Sequence, residues 1–401
     1  MKRALPPLLI LCISAYLIAT LAIADSISVP GDLDGDLEVS EEELKIAKQE
    51  REDGKISEEE LEIITQICKS YPKTITDSAG RTVTIYKPLE RVVVFNSATV
   101  EIMRSLDASQ IITGVDSYTK EDEIFFPEMA GGKIADVGTT DSPDLESTLE
   151  IEPDAVFVYA TNRVTSAEEI QNTLESADPK ITVIRLDGSN PETYTEEVEK
   201  ISVLLDREEK ADEYIQFYQN SVDQMTDSIY DLSEEEKPRV YLETPTGKTC
   251  AEGSMWHQRI TIAGGRNIFE NASTKYPEVD PESVIVNDPE IVIKICGTGS
   301  LSFGGYADDD APEMEALREE MMNRPGWNDI TAVENGNVYI LSIDVFGGAK
   351  YFVGLDYLAK IIQPDIFSDL DPKTVHQEYI TRFQELDYNL KNHGVFVYPR
   401  P

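Results

Sequence analysis

The densest run of metal-seeking side chains in this 401-residue sequence is Asp32-Leu33-Asp34-Gly35-Asp36. Three carboxylates on alternate positions, followed by Glu38, Ser40 and Glu43, supply the crowded oxygen donors that a hard cation with six to eight ligands requires. The stretch opens an internal repeat: Val39-Ser40-Glu41-Glu42-Glu43-Leu44 returns 17 residues later as Ile56-Ser57-Glu58-Glu59-Glu60-Leu61. Three histidines in the whole chain leave little material for a His-rich zinc site. Of the four cysteines, Cys12 lies in an apolar N-terminal run without a Leu-Ala-Gly-Cys pattern. Cys68, Cys250 and Cys296 remain, an odd set that is no disulfide framework. Cys250 and Cys296 both follow apolar, strand-like runs, so one bridge between them and buried free thiols both stay open. Asn271-Ala272-Ser273 fits a glycan acceptor, a short and weak pattern. No Gly-x-Ser-x-Gly elbow, His-Glu-x-x-His helix or phosphate loop occurs, so the common hydrolase and nucleotide chemistries lack their residues.

The charge balance narrows the function classes. Lysine and arginine number 35 against 76 aspartates and glutamates, a net charge of -41. Such a surface argues against nucleic-acid contact, which needs a basic face, and against docking on anionic lipid. It suits a soluble protein in a salty or extracytoplasmic medium, where screening weakens self-repulsion. With 41% hydrophobic residues the chain can bury a sizeable core, and its length predicts two or three domains. At the N-terminus, Lys2 and Arg3 precede an apolar run, and Ala22-Ile23-Ala24 offers a small-x-small cleavage site. Residues 1–24 read as an export signal. An uncleaved anchor is the other reading, because Leu5 to Ala24 is 20 residues, enough to span a bilayer.

The elements that must position any site follow from periodicity. Val92–Phe95, Ile111–Val115, Pro153–Tyr159 and Ile181–Leu186 read as short buried strands separated by helical stretches. Strand–helix alternation means a parallel sheet covered on both faces. The same grammar restarts at Arg239–Glu243, Ile291–Ile295 and Asn337–Leu341, which predicts a second α/β lobe. Between them Ala211, Ile215, Tyr218, Val222, Met225 and Ile229 recur in steps of four and three. Asp206 and Glu209 look like a capping box, so one amphipathic helix of about 26 residues, roughly 39 Å, is expected. Its continuous apolar stripe predicts packing along both lobes, which a free linker would not need.

Two resemblances emerge from these residues. Residues 32–43 resemble an EF-hand calcium loop. That likeness implies side-chain ligands at Asp32, Asp34 and Asp36, a main-chain oxygen from Glu38, a water-bridged contact at Ser40 and a bidentate Glu43. Leu37 stands where that family has Gly, at a cost of about 1 kcal/mol if the backbone turns with positive φ. The second loop keeps Asp53, Gly54, Ser57 and Glu60 but has Gln49 and Arg51 at ligand positions. One calcium is therefore expected, with a structural partner loop and Val39 paired to Ile56. Paired loops of this kind resemble dockerin modules. An acidic helical hairpin without metal is the plainer reading.

Residues 74 to 390 resemble solute-binding proteins of ABC importers, in the cluster with a rigid helical backbone that handles iron chelates, haem and cobalamin. The matching stretches are Asp77–Ile85, Arg91–Val94, Leu149–Val156, Ala263–Phe269, Pro325–Trp327, Ala332–Tyr339 and Gly354–Ala359. The resemblance implies two Rossmann-like α/β lobes joined by a long backbone helix, here preceded by the small helical module. The expected divisions are 1–24 (signal), 31–70 (calcium module), 74–190 (first lobe), 191–236 (helical connection) and 237–401 (second lobe). It implies permease docking through Glu146 and Glu282, one per lobe. The partners would be an ABC permease and its ATPase, with membrane contact only through the permease or an uncleaved N-terminal segment. The cargo, an iron chelate (siderophore or haem) or a corrinoid, should lie between the lobes at the carboxyl ends of the strands. The candidates there are Asn96, Ser97, Tyr118 and Tyr159 from the first lobe. The second lobe offers Met255, Trp256, His257, Tyr276, Tyr306, Lys350 and Tyr351. Aromatic rings supply contact area for a bulky organic chelate, and their polar tips supply orientation. No arginine cluster suited to a highly anionic siderophore is present. A calcium-dependent surface adhesion or scaffold protein is the alternative from another class; catalysis is not expected.

Overall fold

The computed structural model describes residues 27–401, so the expected signal at 1–24, with Cys12, lies outside the described residues. The acidic repeat forms a helical hairpin, Glu41–Glu52 and Glu58–Ser70. Each helix starts with a reciprocal capping box, Ser40 with Glu43 and Ser57 with Glu60. The repeated Ser-Glu-Glu-Glu is therefore a repeated N-terminal cap, which satisfies amide groups that the helix cannot. Leu37 does adopt positive φ, at 68°. Its side chain is 5% exposed, and burying a leucine recovers about 1.5–3 kcal/mol, more than the backbone penalty.

The stretch 69–73, which reads as a linker, is built into the body instead. Lys69 and Ser70 end the second helix, and Tyr71 and Lys73 are buried. Both reach Asp206: the Tyr71 hydroxyl donates to it at 2.6 Å, Gln66 donates at 2.9 Å, and Lys73 forms an ion pair with it. A hairpin of β1 (Lys73–Thr76) and β2 (Thr82–Ile85) follows.

The first lobe is a five-stranded sheet. In chain order its strands are β3 (Val92–Val94), β4 (Ile112–Val115) and β5 (Ala135–Asp136). After a small antiparallel pair, β6 (Gly138–Thr139) and β7 (Ser142–Pro143), come β8 (Ala155–Val158) and β9 (Thr182–Arg185). The spatial order is β5-β4-β3-β8-β9, all parallel. The second lobe contains β10 (Arg239–Glu243), β11 (Arg266–Asn267), β12 (Ile291–Cys296), β13 (Val338–Ser342) and β14 (Val397–Tyr398). Its order is β11-β10-β12-β13-β14, with only the β13–β14 pair antiparallel. Strands buried on both faces need apolar residues at every position, which is why they read as continuous runs. Cys68, Cys250 and Cys296 are free thiols, and burial pushes Cys250 and Cys296 up to about 12.

The rod between the lobes is real but shorter than its sequence suggests. It runs Glu208–Ile229, 22 residues, about 33 Å. Asp206 is not its N-cap: it closes the preceding helix, Tyr194–Leu205, in the left-handed conformation at φ 55°. The bonds from Gln66, Tyr71 and Lys73 hold it there. The stripe Ala211, Ile215, Tyr218 and Met225 is buried as expected, with Tyr214 beside it. Its rings meet Tyr194, Tyr351, Phe352, Tyr379 and Phe383 in one aromatic core. Among the described residues no helix is long and apolar enough to cross a membrane.

Candidate functional site

Parallel sheets leave their loops at the carboxyl ends of the strands, and both lobes do so here. After β3, Asn96 is buried and caps the helix Ser97–Ser105, its Oδ1 accepting from the Thr99 amide at 2.8 Å. Its Nδ2 has no protein partner. Ser97 is half-buried. After β4, Asp116 accepts from the amides of Tyr118 and Thr119, which leaves the Tyr118 ring 70% exposed. After β8, Tyr159 is half-buried, and burial, then the nearby Asp116 and Asp187 carboxylates, push its phenol well up. Asp187, after β9, accepts from the Ala160 and Thr161 amides and ties the last two loops together.

In the second lobe, Met255, Trp256 and His257 form the first turn of the helix Met255–Ile262, capped by Ser254. Trp256 stacks on Phe346, centroids 5.2 Å apart and planes 12° apart. The His257 ring lies 3.3 Å from the Asn267 amide, which orients it. Tyr276 is exposed nearby and shares the electrostatic neighbourhood of Arg259.

Sequence reading counts Arg259 among scattered bases and puts Gln258-Arg259 in an exposed loop; the structure instead buries Arg259 within the helix Met255–Ile262. It is 2% exposed and donates to the carbonyls of Phe346 and, at 3.4 Å, Ser189. Its guanidinium lies 5.2 Å from the Trp256 ring and 4.8 Å from Tyr351. Nε has no protein partner, and among the described residues no carboxylate pairs with it. Desolvation lowers it to about 10, so it stays charged at neutral pH. Its spacing from Trp256, i and i+3 on one helix face, was the available signal.

This helix is one of the places where the lobes meet. The Ser189 hydroxyl lies 3.8 Å from the Met255 sulfur, Gln258 donates to Glu192 at 2.7 Å, and Arg259 reaches the Ser189 carbonyl. Asn96, Ser97, Tyr118 and Tyr159 thus follow strands of the first lobe, while Met255, Trp256 and His257 share one helical turn of the second lobe and Tyr276 lies exposed.

Three expected site residues are elsewhere. Tyr306 is buried, its hydroxyl 2.7 Å from His376 Nε2 and its ring 4.8 Å from Phe125. Lys350 is buried against Glu101, with Nζ 3.1 Å from its carboxylate and 4.0 Å from the Phe125 ring. Tyr351 is fully buried and shares a hydrogen bond with Tyr218 of the rod. These side chains fill the part of the seam nearest the rod. They hold the lobes together and leave no polar tip free.

Glu146 and Glu282 occupy equivalent places. Each is exposed in the first turn of a short helix, Leu145–Glu150 and Pro281–Asn287, two residues after the capping aspartate, Asp144 or Asp280. In the N-terminal hairpin, carboxylate oxygens of Asp32, Asp34 and Asp36 lie within 4.8 Å of one another. Asp36 pushes Asp34 up, the mark of like charges held together. Glu43 turns its carboxylate to the Ser40 and Leu33 amides, which hold it low, and stands outside that group of three. Val39 and Ile56 join the core without forming a strand bridge.

The family model described as periplasmic binding protein matches residues 92–344. The molybdate-binding protein MolA of Haemophilus influenzae is 24% identical over 348 residues, 80% of this chain and 93% of that protein. A vitamin B12-binding protein of Salmonella paratyphi A is 27% identical, over 53% of this chain and 74% of its own. The crystal structure of the TroA-like periplasmic binding protein FepB from Veillonella parvula superposes with a TM-score of 0.70 and 27% identity, covering 81% of this chain and 99% of that one.

Proposed function

The chain belongs to the periplasmic binding protein family, and from that premise we propose that it captures a metal-bearing organic ligand outside the cell and delivers it to an ABC permease. The cargo classes this reading favours are an iron chelate, haem or a corrinoid. The observation that carries it is the Met255-Trp256-His257 turn, backed by Arg259 and facing the loop after β9 across the seam. A flat aromatic surface over a buried, carboxylate-free guanidinium favours a broad ligand with an electronegative edge. Relatives named for cobalamin, ferric citrate and molybdate support a metal-related cargo. The role is binding and release, with no bond made or broken.

Glu146 and Glu282 are the proposed docking points for the permease, one on each lobe. For the N-terminal hairpin we propose a single calcium ion held by Asp32, Asp34 and Asp36. The Glu38 carbonyl, Ser40 and Glu43 would complete the set, Glu43 by leaving its capping amides. The converging aspartate oxygens fit a hard cation.

Fluorescence titration tests the cargo. Trp327 is buried in the second lobe's core, so a surface ligand reports through Trp256. Saturable quenching is expected from one of ferric citrate, haem or cobalamin, and Trp256→Phe should remove it. Silence across all three ligands, with calorimetry equally flat, or binding of molybdate alone would overturn the reading.

A further inference from the structure

A cavity lies away from the seam, on the flank of the rod. It is a groove of about 660 Å³ between the rod helix and the segment 356–382. That volume falls within the range of small-molecule sites. None of the rim residues Tyr118, Tyr159, Trp256 or Tyr276 lines it.

Asp356 lies in its wall and is 2% exposed. Its Oδ1 accepts from the Ser221 hydroxyl at 3.1 Å, and among the described residues its Oδ2 has no hydrogen-bond partner. Burial pushes this carboxyl up to about 7. A buried carboxylate oxygen left open at a cavity wall calls for a donor from outside the chain. The rest of the groove points to a cationic one. Glu213, Asp369, Asp371 and Glu378 also line it, against a single base, Arg382. Arg382 is already held by Glu213 at 2.6 Å and Glu378 at 2.9 Å. Asp371 is occupied as a helix cap, whereas Asp369 is exposed and unpaired.

The groove does not cluster carboxylates as a bare metal ion favours. Among the described residues only Asp32, Asp34 and Asp36 bring three such ligands within reach of one ion. The groove instead sets Asp356 among apolar side chains, with Phe217, Met225 and Phe367 in the same wall. An ammonium group carries three donors and a hydrocarbon stem, and aromatic faces attract it.

We propose that this groove is a binding site for a primary alkylammonium ion, its head on Asp356 and its stem along Phe217, Met225 and Phe367. The site is independent of the cargo cleft and would be occupied with the cleft empty or full.

Calorimetric titration of the full protein with butylamine, in 0.2 M salt to screen diffuse attraction to a chain of net charge -41, tests it. One saturable site is expected for butylamine and none for butanol, its uncharged analogue. Asp356→Asn keeps the side chain's size and the Ser221 contact, and should weaken butylamine at least tenfold. Asp369→Lys, on an exposed loop and so harmless to folding, should weaken it at least fivefold by repulsion. Trp256→Phe should leave it unchanged, which separates this site from the cleft. Absence of butylamine binding, equal binding of butanol, or an unchanged affinity in either aspartate variant would overturn the proposal.

Discussion

At the scale of single residues, buried charge is where this protein departs from simple packing. Glu243 is buried and satisfied, with Lys294 at 2.7 Å and Arg324 at 2.6 Å holding its carboxyl low. Glu101 is buried and satisfied by Lys350 and the Tyr379 hydroxyl. Asp356 has only Ser221, and the contrast has a measurable consequence. Its carboxyl titrates near 7 in the folded protein and in the ordinary carboxylate range, near 4, when unfolded. The folded state therefore holds a proton that the unfolded chain releases. This contribution is fully present below pH 4 and is lost as pH rises through 7, a change on the order of 4 kcal/mol across the window. Asp356→Asn never carries the charge. Thermal unfolding should find the variant more stable than the parent at pH 8, with the gap narrowing at pH 5 and closing only below pH 4. Equal melting at both values would mean that the carboxyl is solvated after all.

At the scale of elements, the sequence was most legible where one physical demand dominates. Strands with both faces covered must be apolar throughout, and Val92–Val94, Ala155–Val158 and Ile291–Cys296 show it plainly. The rod was legible because a stripe in steps of three and four has few other meanings. Its start was not. Asp206 and Glu209 satisfy a capping pattern, yet three partners distant in sequence pull Asp206 into a left-handed cap of the previous helix. Likewise Tyr306, Lys350 and Tyr351 lie close after strands or their loops, which says nothing about whether a side chain turns toward the cleft or the core. The burial of Arg259 was invisible for the converse reason: it depends on Phe346 and Ser189, each about 70 or more residues away. In the acidic hairpin the same Ser-x-x-Glu repeat fits two demands: the capping box that the structure forms, which sequence reading missed, and the proposed calcium loop. Calorimetry separates the two readings. If the loop holds calcium, one site should appear and Asp34→Ala should remove it while the helix content stays unchanged. No heat from the parent protein would leave Ser40 and Glu43 with capping alone.

At the scale of the whole molecule, part of the seam is fastened by buried contacts, and the proposed cargo surface lies beyond it. Near the rod, the Glu101–Lys350 pair, the Phe125–Tyr306 contact and the Tyr218–Tyr351 bond are buried and mutually satisfied. Farther out, contact passes through the Met255 turn and the loop after β9, with exposed or half-buried aromatic residues on both rims. A rod of about 33 Å held in an aromatic core resists wide hinge motion, so delivery to a permease is expected to depend on both lobes being gripped at once. Glu146 and Glu282, each exposed on its own lobe at the start of a short helix, are the proposed points of grip. Rim charges of this kind orient an encounter more than they add to its affinity. Replacing either glutamate by alanine should therefore lower uptake in a reconstituted importer, and replacing both should abolish it. Cargo affinity, measured by Trp256 quenching, should stay within twofold of the parent in all three variants. A double variant that still transports at the parental rate would remove these two residues from the docking surface, and one that loses cargo affinity would place them in the cleft instead.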